Sequence, residues 1–229
     1  MKKLVSIFIG LSACVAPDQQ IEVKVAGNLR SIMMQGDYRA AIGLDTLANK
    51  PNLYALGAAT QLDGEVLVWD SKPFITRPEA DTFSLTSTWD ADAALLVYAQ
   101  VKAWNTSTVQ EELTMEQLAD LLEQKIGNNG EATPFLIHAT ADELRWHVVN
   151  GKNLAGQSHA THAASGYQAK VKSKVVALLG FYSRHHEGVF THRGQFTHIH
   201  FKTTDGKAAG HVDQFRLSAG SSLSIPQKL

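Results

Sequence analysis

Short segments of the chain alternate apolar and polar residues, or are apolar throughout, and both patterns are typical of β-strands. Two of the apolar runs, 93–101 and 175–182, are long enough for central strands. The segment 65–69 follows Asp63-Gly64, a turn-forming pair. The pattern predicts strands at 21–25, 65–69, 93–101, 135–138, 145–149, 175–182, 196–202 and 210–217.

Helical periodicity is much rarer. The clearest helix is predicted over 114–126, where Thr114 can cap the first turn, Gln117 completes a capping box, and Gly127 can end the last turn. A short helix is predicted around Leu44 and Leu47. Because strands dominate and helices are few, we predict an α+β fold with largely antiparallel or mixed sheets.

Length and charge narrow the class of protein. The chain has 229 residues, 44% of them hydrophobic, which suits one globular domain or two closely packed halves. The net charge is −1 with histidine neutral, so the charge balance does not indicate a nucleic-acid partner.

The first 14 residues have the features of a bacterial lipoprotein signal peptide. Two lysines precede a short apolar stretch that ends in Leu11-Ser12-Ala13-Cys14, a lipobox-like sequence. We predict cleavage before Cys14, lipidation of its thiol, a tether over 15–20 and a folded domain over 21–229. This predicts an exported, lipid-anchored protein of the bacterial cell envelope. The alternative is a buried N-terminal strand with an incidental thiol.

Three histidines have the spacing of metal ligands. His198 and His200 are two residues apart in a predicted strand, so their side chains point to the same face. The segment 203–206 (Thr-Thr-Asp-Gly) predicts a hairpin that brings His211 beside them. Three histidines with an open fourth position are the ligand set of catalytic zinc. The alternative is that the three histidines lie on the solvent-exposed face of a hairpin and bind no metal.

Other polar residues are weaker candidates. Glu65 begins a strand after Gly64, and a carboxylate beside a metal-bound substrate can transfer protons, although most glutamates at strand ends lie on the surface. His185, His186 and His192 are interpreted as residues at the mouth of the site or on the surface.

The histidine pattern resembles the zinc signature of the α-acetolactate decarboxylase family, which is H-L-H-F followed by G-G-H-V. Here the run 196–201 reads Phe-Thr-His-Ile-His-Phe and 210–212 reads Gly-His-Val. The segment 62–65 (Leu-Asp-Gly-Glu) resembles the family's L-D-G-E. Softer similarities occur at Gly36-Asp37, at 54–57, which we interpret as a turn, and at 179–181. The resemblance implies two related β-rich halves, with zinc bound in the C-terminal half.

The resemblance also implies a reaction, the decarboxylation of 2-acetolactate to acetoin and carbon dioxide. Zinc would act as a Lewis acid on the charge that develops as the carboxylate leaves. Glu65 would then deliver a proton to carbon or orient the intermediate. The partner implied is a small-molecule substrate, and a homodimer stays open.

The chain departs from the family pattern at three places. The family's active-site arginine would fall near Asn150, so Arg145 and Arg193 are predicted as substitutes that bind the substrate carboxylate. The family's C-terminal glutamate has no counterpart, since no acid follows Asp213, and a small hydroxyl residue of the family is Ala58 here. Two alternatives therefore stay open: a related zinc enzyme acting on another small keto acid or ester, and a lipid-anchored metal- or ligand-binding protein without catalysis.

Overall fold

The computed structural model describes residues 21–127, 130–152, 161 and 164–227. The predicted signal peptide, the tether and Cys14 lie outside these residues. Within them the fold is β-rich, and every pairing between the strands given below is antiparallel. This confirms the predicted α+β class with two β-rich halves.

The N-terminal half of the described chain forms a seven-stranded sheet. Its strands are β1 (Lys24–Ala26), β2 (Ile42–Gly43), β3 (Leu53–Ala59), β4 (Glu65–Trp69), β5 (Lys72–Pro78), β6 (Phe83–Thr86) and β7 (Asp92–Gln100). They lie in the order β1-β7-β3-β4-β5-β6, and β2 also pairs with β7. The segment 54–57 lies inside β3, so its interpretation as a turn is wrong: it pairs with β7 and its residues are buried.

The C-terminal half forms an eight-stranded sheet in the part of the chain that the structure describes. Its strands are β8 (Trp104–Val109), β9 (Leu113–Thr114), β10 (Thr133–Val148), β11 (Tyr167–Val171), β12 (Lys174–Tyr182), β13 (Thr197–Thr203), β14 (Ala209–Leu217) and β15 (Ser221–Pro226). The order is β8-β15-β10-β12-β13-β14-β9, and β11 pairs with β10.

One long strand organises this second sheet. The segments 135–138 and 145–149 were predicted as separate strands, but both belong to β10 or its end. The first part of β10 pairs with β12 and its last part pairs with β14. Because β12, β13 and β14 also pair in succession, these four strands close a circuit of hydrogen-bonded neighbours. The circuit brings the end of β10 beside the hairpin of β13 and β14.

Helices are few among the described residues. The helix α2 (Met115–Ile126) begins after Thr114, whose side chain and that of Gln117 form the predicted capping box. The predicted short helix is a 3₁₀ helix at Leu44–Leu47. The helix α1 (Leu29–Gln35) was not predicted, although Asn28 caps its first turn. None of the described helices is long and apolar enough to cross a membrane.

The two sheets pack against each other through a shared apolar cluster. Leu56 and Leu67 from the first sheet meet Leu179 and Phe181 from the second, and all four are buried. A buried hydrogen bond also crosses the interface between the sheets, since Thr76 Oγ1 on β5 donates to Ala209 O on β14 at 2.9 Å. These contacts hold β14, which carries His211, against the first sheet.

This hydrogen bond gives a test of the interface between the sheets. Thr76→Val keeps the shape of the side chain and removes its donor, so it should lower the free energy of unfolding by about 1 kcal/mol. The measurement is urea denaturation, and Thr108→Val on the exposed side of β8 is the control. Equal stability of Thr76→Val and the wild type would show that the bond does not hold the sheets together.

Candidate metal centre and active site

The histidines predicted as metal ligands lie on neighbouring strands of the second sheet. His198 and His200 are both on β13, and the side chain of Ile199 between them is buried. The connection to β14 is a tight turn in which Thr203 Oγ1 accepts the backbone N–H of Ala208 at 3.1 Å. The predicted hairpin is therefore present.

The turn sets a register in which His200 and His211 are directly opposite each other. The ligand nitrogens of His198, His200 and His211 all lie within 4.8 Å of one another. Their ring centroids are 5.0–5.3 Å apart. Three imidazoles at this spacing can bind one metal ion and leave a coordination position for water or substrate.

His200 gives a second reason to expect a metal. Its side chain is completely buried, and neither ring nitrogen has a hydrogen-bond partner of acceptable geometry among the described residues. A buried polar group without a partner is costly. Burial lowers the pKa of His200 to about 3, with a further contribution from His147, while the backbone of Val66 partly opposes the shift. The ring is therefore neutral, which is the form that binds metals.

Glu65 is held in place by an unusual backbone segment that precedes it. Gly64 has φ +122°, and a Cβ there would lie 2.1 Å from Thr76 O, so only glycine fits. Leu62 also has a positive φ of 49°, and its carbonyl accepts the N–H of Gly151 at 2.8 Å. Backbone strain of this kind persists where surrounding contacts hold it. These contacts fix the start of β4 and thus the direction of the Glu65 side chain.

The carboxylate of Glu65 is buried beside the histidines and is 4% exposed. Its Oε1 accepts the backbone N–H of Val149 at 2.9 Å, and its Oε2 lies 3.5 Å from Nε2 of His200. Burial raises the pKa of Glu65 to about 7; the nearby His147 and the Val149 hydrogen bond oppose that rise, and Asp213 adds to it. The structure thus places the carboxylate of Glu65 beside the three histidines.

A fourth histidine, which the sequence analysis did not select, completes this cluster. His147 on β10 pairs with His211 on β14, and the two rings are 4.7 Å apart. Its Nδ1 bonds to Asp213 Oδ1 at 2.7 Å. Burial lowers the pKa of His147, but the Asp213 hydrogen bond and the charges of Glu65 and Asp213 outweigh burial, and the net shift is upward.

A small pocket opens onto this cluster between the two halves. Its free volume is about 40 Å³. Three polar side chains of the cluster line it, Glu65, His198 and His211, together with His192, which had been interpreted as a residue of the mouth or surface. The rest of the wall is apolar or glycine: Leu29, Ile32, Met33, Gly57, Ala58, Leu62, Leu95 and Val149. Three of these residues belong to α1, so the helix missed in the sequence forms part of the site.

The two predicted substrate-binding arginines lie elsewhere. Arg145 is exposed on β10 and its Nε pairs with Glu143 at 3.1 Å, and Arg193 is exposed in the loop before β13. Arg145 lines a different, solvent-facing groove with Glu143 and Arg216. Neither arginine is among the described residues that line the pocket of the histidines. Asn150 forms a β-bridge with Asp63, close to Glu65 in the chain.

Comparison with known proteins agrees with this geometry. A sequence model of the α-acetolactate decarboxylase family matches residues 27–227. No curated protein sequence matches significantly. Acetolactate decarboxylase from Bacillus subtilis subspecies spizizenii has a similar fold, with a TM-score of 0.76 and 14% identity over 90% of this chain and 86% of that one. The α-acetolactate decarboxylase of B. subtilis strain 168 gives 0.72 and 13% over the same shares.

A third solved structure has the same fold. It is a Staphylococcus aureus protein of unknown function similar to α-acetolactate decarboxylase, with a TM-score of 0.71 and 15% identity over 90% of this chain and 85% of that one. At such identities these structures establish the fold.

The histidine cluster predicts a single metal site. Purified protein should bind one divalent metal ion per chain, and His211→Ala should reduce bound metal at least tenfold, because two imidazoles alone hold such ions weakly. Inductively coupled plasma mass spectrometry after dialysis measures the metal content. The control is His185→Ala, an exposed histidine outside the cluster. Full metal content in His211→Ala would contradict the site.

Proposed function

Because the chain belongs to the α-acetolactate decarboxylase family, we propose that it is a carboxy-lyase that converts 2-acetolactate to acetoin and carbon dioxide with zinc as its metal. One observation carries the proposal: a buried carboxylate, Glu65, lies 3.5 Å from His200 in a pocket lined by His198 and His211. The pocket thus combines a metal ligand set with a group that can transfer a proton.

The residues present fit a zinc ion. His198, His200 and His211 can supply three nitrogen ligands, and one of the two ring nitrogens of His200 would gain a partner in the ion. When bound, zinc would supply Lewis-acid stabilisation of the negative charge that develops on the substrate as carbon dioxide leaves.

The protein side chains have separate tasks in this proposal. Glu65 holds a proton at the pocket wall and gives it to the substrate carbon after carbon dioxide departs. The N–H of Val149 fixes the carboxyl group for that transfer. Leu29, Ile32 and Met33 of α1 form an apolar wall that excludes water from the reacting atoms.

The first test concerns Glu65. Glu65→Gln preserves shape but cannot cycle a proton, so kcat for acetoin formation from racemic 2-acetolactate should fall by about 10²–10⁴-fold. Zinc content should stay at the wild-type value. The matched control is Glu116→Gln on the exposed side of α2. A wild-type protein with one zinc per chain and no acetoin above the spontaneous rate would refute the proposed activity.

A second candidate activity is favoured by the composition of the pocket wall. Among the described residues that line it there is no lysine or arginine, so no permanently charged side chain is present to bind a carboxylate. Of the two alternatives, a zinc enzyme acting on a small ester fits such a wall better than one acting on another small keto acid, because a keto acid also carries a carboxylate. A panel of these compounds, tested with wild type and Glu65→Gln side by side, separates this candidate from the first.

We also propose that the protein is anchored in the bacterial cell envelope through Cys14. The lipobox sequence supports this proposal. Cys14→Ser should move the protein from the membrane fraction to the soluble fraction of the envelope, because the acyl chains can no longer attach. Cell fractionation and mass spectrometry of the N-terminal peptide measure the change, and Ser6→Ala is the control. An unchanged membrane fraction for Cys14→Ser would refute lipidation at this residue.

A further inference from the structure

Three side chains form a line from the protein surface to the pocket. Asp213 on β14 is 41% exposed at its side chain, whereas His147 is 1% exposed. Asp213 Oδ1 bonds to Nδ1 of His147 at 2.7 Å, and the opposite ring nitrogen, Nε2, lies 3.9 Å from Oε1 of Glu65. The line therefore ends at the carboxylate that faces the metal ligands.

We propose that His147 and Asp213 are positioning residues for Glu65: Asp213 fixes the His147 ring, and the ring holds the Glu65 carboxylate in the direction that the reaction needs. The effect on catalysis rests on the proposed function. The structural coupling of the three side chains does not, and it can be measured without any substrate.

The location of His147 favours a supporting role over metal binding or substrate contact. The group of side chains whose ligand atoms lie within 4.8 Å of one another contains His198, His200 and His211 but not His147, so His147 is not placed as a metal ligand. It is also not among the described residues that line the pocket. The contacts of His147 are to Asp213, Glu65 and His211, as expected of a supporting residue.

Asp213 determines how the buried ring can serve Glu65. A carboxylate accepts hydrogen bonds only, so the short contact places a proton on Nδ1 of His147. The same bond fixes the ring with Nε2 toward Glu65, in the way that an outer carboxylate orients the inner histidine of many enzyme sites. Nε2 of the neutral ring is an acceptor, so it faces the proton that Glu65 holds in the proposed function. The ring of His211, 4.7 Å away, confines the imidazole on another side.

The end of β10 thus places one hydrogen-bond donor and one imidazole ring beside the carboxylate of Glu65. The backbone N–H of Val149 donates to Oε1 at 2.9 Å, and the Nε2 of His147 lies 3.9 Å from the same oxygen. With Oε1 held from this side, Oε2 is directed at His200, from which it lies 3.5 Å. Loss of the contact with His147 would let the carboxylate turn. A small displacement of a reacting group can lower the reaction rate strongly.

The decisive variant is Asp213→Asn, which keeps the shape of a partly exposed side chain. We expect kcat for acetoin formation to fall by about 10- to 100-fold, with KM changed less than twofold and zinc content unchanged. Asp120→Asn, an exposed acid on α2, is the matched control and should behave as the wild type. His147→Gln should reproduce the pattern of Asp213→Asn. Loss of zinc in Asp213→Asn, or an unchanged kcat, would overturn the proposal.

A double-mutant cycle tests whether the effect passes through Glu65. In the Glu65→Gln background, Asp213→Asn should cause no further loss of kcat, because the group being positioned is absent. The same fold-loss in both backgrounds would show that Asp213 acts by another route and would overturn the inference.

A measurement without substrate separates this inference from the proposed activity. In protein with ¹⁵N-labelled imidazoles, the His147 signals, assigned with His147→Gln, should show a proton on Nδ1. Both Asp213→Asn and Glu65→Gln should shift these signals, whereas Asp120→Asn should not. Shifts of this kind in a protein that forms no acetoin would support the line of contacts and refute only the activity. Unchanged His147 chemical shifts in Glu65→Gln would refute the inference itself.

Discussion

The constraint on which the site depends is the burial of several polar side chains in one small volume. His200 is completely buried without a hydrogen-bond partner of acceptable geometry among the described residues, and Glu65 and His147 are almost as deeply buried beside it. Burial of such groups costs free energy unless each has a hydrogen-bond partner or a bound ion. A metal ion on the three histidines would relieve the cost at His200, and the remaining polar groups support one another.

These side chains come from both halves of the molecule. Glu65 begins β4 of the first sheet, whereas the histidines lie on β10, β13 and β14 of the second. The distances between these side chains therefore depend on the packing between the two sheets. The apolar cluster between them and the buried hydrogen bond from Thr76 to Ala209 hold β14 against β5, which is the neighbour of β4.

The sequence predicted features that depend on residues close together in the chain, and missed those that depend on residues far apart in it. His198, His200 and His211 follow from strand alternation and one tight turn, both of which are local. The capping box of α2 is local in the same way. His147 lies 64 residues before His211 and reaches it only through the register of β10 against β14, which no local pattern encodes. The helix α1 has only seven residues, too few for a clear helical period, although Asn28 was a detectable start signal.

The two arginines were predicted to bind the substrate because of their side-chain chemistry, without evidence for where they lie in the fold. Arg145 is two residues from His147, but it points outward and pairs with Glu143, whereas His147 is buried. Histidine is the only side chain able to carry positive charge among the described residues that line the pocket. Under the proposed function, an anionic substrate would be bound by imidazoles and a metal ion. Catalysis requires that the site stabilise the transition state more than the bound substrate. The orientation of those imidazoles, and of the one acid beside them, then determines this difference in stabilisation.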